Sequence, residues 1–497
     1  MSEALQVIGC VGATAAVAGS MLLSSPRARA AALLAALAIA AAVLIGEGWD
    51  ELESLRERPL ALAGLVAGAA IGIAALTELL RRYEIALPLL LVAALPFRIP
   101  IEIGGQDANL LLPLYAVIGA GALAFALGTW RGEARWRPPP RLLALALGAA
   151  IVLYAVQAAY SNDIGFAARN IGFFLVPFAA MFVLLGEVRW TPRLLATALG
   201  VIVGEALLFA LVGVGQHLAG EIFWNPALER SNDFHFYFRV NSLFWDPNIY
   251  GRYLALVAVL VVAVLAWCRD PRRIAVLAGI AAVLVVGFLF AFSQTSFVAL
   301  LSGIAVVAAL RWSLLWTAVA APLAALAILV AIVVIGGTSE SEDSAREISS
   351  GRSTLIEGGL ELARAEPLIG HGSASFPEAF REQEEINSSK PAISHNEPVT
   401  VAAEQGAVGL IAYAAILIAA FATLLAGLRS NAPGLGASAD AIGDPAAGGP
   451  GSLALARIAI LAAFTAMLVH TIGYAGYLTD PLTWALLAIG GALAARD

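Results

Sequence analysis

Three groups of residues in this 497-residue chain have side chains and spacing suited to chemistry. The first is His395-Asn396-Glu397, followed two helical turns later by Glu404. An imidazole with an ordinary pKa near 6.5 can accept a proton at neutral pH. His395 therefore reads as a general base, or as a histidine that caps a helix and bonds to lipid headgroups. The second group opens at Gly351-Arg352-Ser353 and closes at Pro367-Leu368-Ile369-Gly370-His371-Gly372. An arginine at a helix start combines a fixed fork of donors with free backbone N–H groups, which suits an anion. The third is Arg239 through Asp246-Pro247-Asn248 to Gly251. Asp246 and Asn248 read as helix caps ahead of a first-turn proline, or as substrate contacts. Arg239 reads as an anion ligand or as a surface arginine on lipid phosphates. A fourth cluster, His470, Tyr474, Tyr477 and Asp480, reads as an aromatic interfacial belt with Asp480 capping a helix, or as part of a site.

The elements that must position these residues are membrane helices. The chain is 60% hydrophobic and 13% charged, against about 25% charged in a soluble domain. Runs of about 20 apolar residues recur throughout, and in hydrocarbon the backbone must bond to itself, so the spans are helical. The pattern predicts an all-α polytopic bundle of about 12–15 spans: 4–23, 30–46, 59–80, 85–97, 109–128, 141–159, 170–186, 194–217, 248–267, 273–291, 294–310, 312–335, 396–428, 453–474 and 480–495. The span at 85–97 holds Pro88 and Pro96 and reads as broken or re-entrant. Basic residues fall in alternate loops, which the positive-inside rule makes cytoplasmic. Loops 47–58, 98–108, 160–169, 218–247 and 336–395 then face outward. The longest carries 11 acidic and 5 basic residues, so any anion there is held by specific arginines. Within it, residues 353–365 predict a surface helix with Leu355, Ile356, Leu360 and Ala363 on one face. The chain divides into N-terminal helices 1–217, central helices 218–335, the extracytoplasmic loop 336–395 and C-terminal helices 396–497. Segment 430–452 reads as a flexible linker. An intramembrane carboxylate such as Glu404 must face a cavity or a partner, and Gly406 and Gly409 suit close helix packing. No clustered acidic pair suggests a metal site, and nothing points to nucleic acid.

Several of these pieces resemble the O-antigen ligase and O-antigen polymerase family. They are the Arg-x-x-Ser-x-Phe-x-Asp-Pro-Asn-x-x-Gly pattern at 239–251, Gly-Arg at 351–352, the glycine-rich 367–372 and His470 with Asp480-Pro481-Leu482-Thr483-Trp484. The most specific is His-Asn-(x)7-Glu-x-Gly-x-x-Gly-Leu-x-x-Tyr at 395–413. One departure is Gln294, where many members carry an arginine in Ser-Arg-Gly.

The resemblance implies an inverting, metal-independent membrane glycosyltransferase of the bacterial inner membrane, with no cofactor. Its donor would be a glycan on undecaprenyl diphosphate. Its acceptor would be a sugar hydroxyl, on lipid A-core or on another glycan repeat unit, at the extracytoplasmic face. His395, Arg352 and Arg239 would be catalytic, with Asn396, Asp246, Asn248, Glu404 and His470 as substrate contacts. The alternatives are a repeat-unit polymerase using the same residues, and a lipid-linked glycan transporter. A transporter predicts paired broken helices and repeated halves.

Overall fold

The computed structural model describes residues 1–49, 53–103, 106–133, 137–234, 237–312, 352–383, 394–426, 428 and 450–495. The expected span at 312–335, the first part of the long loop and most of the 430–452 linker lie outside the described residues. In chain order the helices are α1 Glu3–Leu22, α2 Pro26–Glu47, α3 Glu53–Arg56, α4 Pro59–Arg82, α5 Ala86–Ala94, α6 Leu112–Trp130, α7 Arg141–Gln157, α8 Ile164–Asn170, α9 Val176–Glu187 and α10 Pro192–Ala219. They continue with α11 Pro226–Phe234, α12 Pro247–Trp267, α13 Pro271–Leu289, α14 Gln294–Arg311, α15 Arg352–Ala365, α16 Phe376–Gln383, α17 Glu397–Leu425, α18 Pro450–Thr471 and α19 Pro481–Ala494. A π-helical turn, Ile171–Leu175, joins α8 to α9 into one apolar crossing. Among the described residues, 12 helices are long and apolar enough to cross a membrane.

Many spans start in the same way. Ser25, Thr191, Asp246, Asp270 and Asp480 each precede a proline and accept a backbone N–H from the first turn. The cap satisfies one orphan donor, and proline at the first helical position removes another. The α8–α9 crossing, α12 and α18 form the buried centre, while α4 and α13 lie outermost. Leu60, Leu65 and Ile71 of α4, and Val276 and Val286 of α13, are exposed. Such an apolar surface requires lipid rather than water around it.

The alternation of loops is visible in contacts. At one end Tyr160 donates to the Ile369 carbonyl at 2.8 Å, Val240 N–H to the Phe290 carbonyl at 3.0 Å, and Asn396 to the Ile472 carbonyl at 2.8 Å. These join stretches that the sequence places on the outward side. At the other end Arg29 pairs with Glu187, which also accepts the Arg137 N–H, and Arg311 donates to the Ala266 carbonyl.

Three expectations are refined. First, an antiparallel hairpin, Ile99–Ile103 with Gln106–Leu110, occupies the expected outward loop 98–108. It makes α6 start later than expected. Second, the proline-containing span at 85–97 contains only the nine-residue α5. At about 1.5 Å per residue such a helix covers roughly half of the hydrocarbon thickness. Third, α15 buries Leu362, with Gly358 and Gly359 closed against Phe380, Phe376 and Val399, while Leu360 is exposed. Its apolar stripe therefore runs through 355, 358, 359 and 362, and it covers α16 and the first turns of α17.

α17 is broken at Gly406, whose φ of 61° and ψ of −157° lie outside the helical region. An unbroken helix would pair Ala407 and Val408 N–H with the carbonyls of residues 403 and 404. Here Ala407 donates instead to the Pro367 carbonyl (2.9 Å) and Val408 to Leu368 (3.2 Å). The released carbonyls of Ala403 and Glu404 accept N–H groups from His371 (3.0 Å) and Gly372 (2.8 Å). The Glu404 carboxylate takes two more donors, Ala374 N–H at 2.8 Å and Phe376 N–H at 3.3 Å. Gln157 Nε2 bridges the carbonyls of Ile369 and Gln405. The expected helix-packing role of Gly406 is thus corrected. The glycine admits a loop backbone, and a Cβ there would stand 2.5 Å from the Leu368 carbonyl carbon.

Two outcomes follow from this joint. Gly406→Ala forces a side chain into a conformation reserved for glycine, at a cost of about 1–3 kcal/mol before the clash. Purified protein in detergent should unfold at a lower temperature, and an unchanged midpoint would contradict the joint. Glu404→Gln keeps one acceptor oxygen for two N–H groups, which costs about 1–3 kcal/mol for the donor left over. Limited proteolysis of residues 370–383 should quicken, and equal rates would contradict the contact.

Candidate functional site

A cavity of about 330 Å³ opens at the end of the bundle where the long loop packs. Its polar lining includes Arg98, Asn170, Arg252, His395, Glu397, Glu404, Tyr474 and Asp480. Phe174, Leu175, Ala412 and Ile416 supply an apolar wall. The first turns of α12 and α17 and the cap of α19 all reach it, so three helix N-termini with their partial positive charge face one space.

His395 enters this cavity from the residue pair preceding α17, with φ at 56°. A left-handed backbone is uncommon for a residue bearing a Cβ and occurs where surrounding structure imposes it. Its neighbours impose it here. Asn396 caps α17 through Val399 N–H at 3.0 Å and ties that cap to Ile472. Ser394 Oγ accepts the Asn396 N–H at 3.0 Å. The His395 ring lies 5.6 Å from the Tyr474 ring. Asn396 spends its side chain on these backbone groups and so positions His395.

The Arg239 group lies alongside. The Asn232 side chain clamps the Arg239 backbone at 2.9 and 3.0 Å. The Arg239 guanidinium donates to the Ala291 carbonyl at 3.1 Å and to Asn248 Oδ1 at 3.4 Å. Asn248 Oδ1 also accepts from Ser293 Oγ at 2.9 Å. Ser293 Oγ accepts from Ser296 Oγ at 2.9 Å, and Ser296 meets His470 Nε2 at 3.1 Å. Arg239, Asn248 and His470 thereby form one hydrogen-bonded chain. Gly251 lets α12 approach α14 here, since a Cβ would stand 2.9 Å from Ser296 Oγ. Asp246 caps α12 through the N–H groups of Asn248 (2.6 Å) and Ile249 (3.4 Å). Gln294, at the first position of α14, is exposed.

Tyr474 joins the two groups. It lies 5.6 Å from His395 and 5.9 Å from His470, ring to ring, and its hydroxyl is near enough to Asp246 to feel its charge. Burial, with the Asp246 charge adding, pushes its phenol well above the ordinary range, so it stays a donor. Tyr477 is fully buried, and burial raises its phenol too. The expected aromatic belt is therefore corrected. The helical turn that follows α18 directs Tyr477 into the core and Tyr474 toward the cavity.

Of the expected site residues, His395 and Glu404 line the cavity, and Asp246, Asn248, Arg239 and His470 adjoin it through Tyr474 and Ser296. Arg352 starts α15, and its side chain lies outside the described residues. Sequence reasoning missed Arg98 and Arg252, and it read Asp480 as a cap or as part of a site without naming its partners. Asp480 Oδ1 does cap α19 through Leu482 N–H at 2.8 Å. Its Oδ2 also pairs with Arg252, which is 3% exposed, and with Arg98 Nη2 at 3.5 Å. Arg252 directly follows the Gly251 that ends the Asp-Pro-Asn pattern, and a charge inside an apolar span was the available signal. Glu397, quoted beside His395 without a role, accepts the Gly476 and Tyr477 N–H groups at 2.7 and 3.1 Å.

No curated protein matches the chain. The family model described as O-Antigen ligase matches residues 280–414, from α13 across the long loop to the His395–Tyr413 element. Over that stretch the chain is similar to the O-antigen ligase family, and the His395–Tyr413 motif that carries the resemblance lies within it.

Proposed function

We propose that this chain is a ligase-type glycosyltransferase of the bacterial inner membrane. It moves a glycan from undecaprenyl diphosphate to a hydroxyl of an acceptor sugar on the extracytoplasmic side. The observation that carries this reading is the cavity whose lining joins His395 and other polar groups to apolar side chains. A lipid-linked sugar has the same division, with its isoprenoid against Phe174, Leu175 and Ile416 and its head toward the loop.

The acceptor oxygen attacks the anomeric carbon of the donor sugar from the face opposite the diphosphate. The bond from that carbon to the diphosphate oxygen breaks, and its electron pair leaves with the diphosphate. The acceptor proton passes to the His395 imidazole. Inversion follows from this single displacement. Diphosphate is a good leaving group, so stabilising its growing charge matters more than protonating it. Arg239, held by Ala291 and Asn248, and Arg352, at the N-terminus of α15, are assigned to that charge. Asn396, Asp246, Asn248, Glu404 and His470 hold these groups and shape the acceptor side.

Reconstituted liposomes with an undecaprenyl diphosphate-linked glycan test the reading. His395→Ala should lower the transfer rate by about 10²–10⁴-fold. Arg239→Ala should lower it by about 10²–10³-fold, as expected for a charge-stabilising donor. Membrane insertion should be unchanged in both. Wild-type rates in both variants would overturn the assignment. One addition to a lipid A-core saccharide identifies a ligase, whereas a ladder built on a second lipid-linked repeat unit identifies the polymerase alternative.

A further inference from the structure

We propose that Arg252, with Arg98, is a diphosphate-binding pair that Asp480 holds in readiness inside the cavity. The proposal rests on the lipid-diphosphate reading above and adds two residues to it. Three observations carry it. Arg252 is 3% exposed and lines the cavity, yet among the described residues its Nε and Nη1 have no hydrogen-bond acceptor. Buried arginine donors without acceptors are costly, and they are retained where a ligand supplies the acceptors. Second, Arg98 and Arg252 converge on one oxygen, Asp480 Oδ2. Among the described residues, two guanidinium groups share this single acceptor oxygen, and a diphosphate has oxygens enough to take their remaining donors. Third, the neighbouring carboxylates hydrogen-bond to backbone N–H groups and not to the remaining guanidinium donors. Glu397 and Glu404 each accept two backbone N–H groups, and the free oxygen of Asp480 caps α19.

The placement suits a lipid-linked diphosphate over a soluble one. Arg252 lies in the second turn of a membrane span, beside the apolar wall of the same cavity. Arg98 follows the half-length α5 and approaches from the loop side. A headgroup entering between them meets Arg252 from the membrane and Arg98 from the loop. The Arg252 guanidinium also lies 5.8 Å from the Tyr474 ring, which keeps it beside His395's neighbour.

Direct binding to the purified full chain in nanodiscs tests this without requiring transfer. The probes are undecaprenyl diphosphate, undecaprenyl phosphate and inorganic diphosphate. Wild type should prefer undecaprenyl diphosphate to both of the others by at least about tenfold, as expected when both lipid and diphosphate are recognised. Arg252→Gln and Arg98→Gln should each weaken undecaprenyl diphosphate at least about tenfold and bring it close to the monophosphate. Asp480→Asn keeps the helix cap but removes the competing charge, so its affinity should equal or exceed wild type. A purely structural ion pair predicts the opposite, a loss in Asp480→Asn matching that in Arg252→Gln. That result overturns the proposal, as does unchanged diphosphate binding in both arginine variants. Should Arg252→Gln fail to fold, Arg98→Gln decides by the same criterion. Binding lost in these variants while wild type transfers no glycan to any acceptor would retain the pair and refute the transferase reading.

Discussion

The site depends on one constraint, that a helix broken inside a membrane must find new partners for the backbone groups it releases. Water is absent there, and each unmet group costs several kcal/mol by rough estimate. α17 breaks at Gly406, and the loop backbone at 367–372 supplies both the acceptors and the donors the break requires. Gln157 satisfies the carbonyls that remain. The exchange fixes the loop against the first turns of α17, and those turns carry His395 at their entrance. Loop and helix thus meet through paired main-chain bonds, and the cavity is the space left beside them.

The charged residues follow the same logic of burial with full satisfaction. Glu404 holds the loop through two N–H groups, Glu397 holds the turn after α18, and Asp480 holds both α19 and an arginine. Each acidic side chain is bound to the scaffold. The arginines differ. Arg239 is bonded on several sides, whereas among the described residues Arg252 hydrogen-bonds only to the carboxylate of Asp480. Among the described residues that line the cavity, the buried side-chain donors left without an acceptor are those of Arg252, although the chain as a whole carries a net charge of −7. The sum over a sequence says little about the field inside one cavity.

Most spans were legible because their signal is long, strong and bounded by cap-proline pairs such as Asp246-Pro247 and Asp480-Pro481. The α8–α9 crossing started earlier than expected because Asp163 caps it and a π-helical turn carries it on. The hairpin at 99–110 was read as a loop because two five-residue strands give too short a pattern to stand out beside membrane helices. In the site, His395, Glu404 and the Asp-Pro-Asn pattern were legible because their spacing is local. Arg98 and Asp480 stand 382 positions apart, and only the fold brings them together. The role of Gly406 was misread for a related reason. A small residue in a membrane helix signals close approach, but spacing does not tell whether a helix or a loop approaches.

The joint at Gly406 also bears on how such a protein can change. Main-chain bonds are indifferent to which side chains accompany them. Leu368 and Ile369 lend their carbonyls to the joint, yet their side chains are 71% and 50% exposed. Those two positions can be rewritten by mutation without disturbing the machinery beneath them. The surface of the loop is thus free to vary while the glycine and the glutamate stay under constraint.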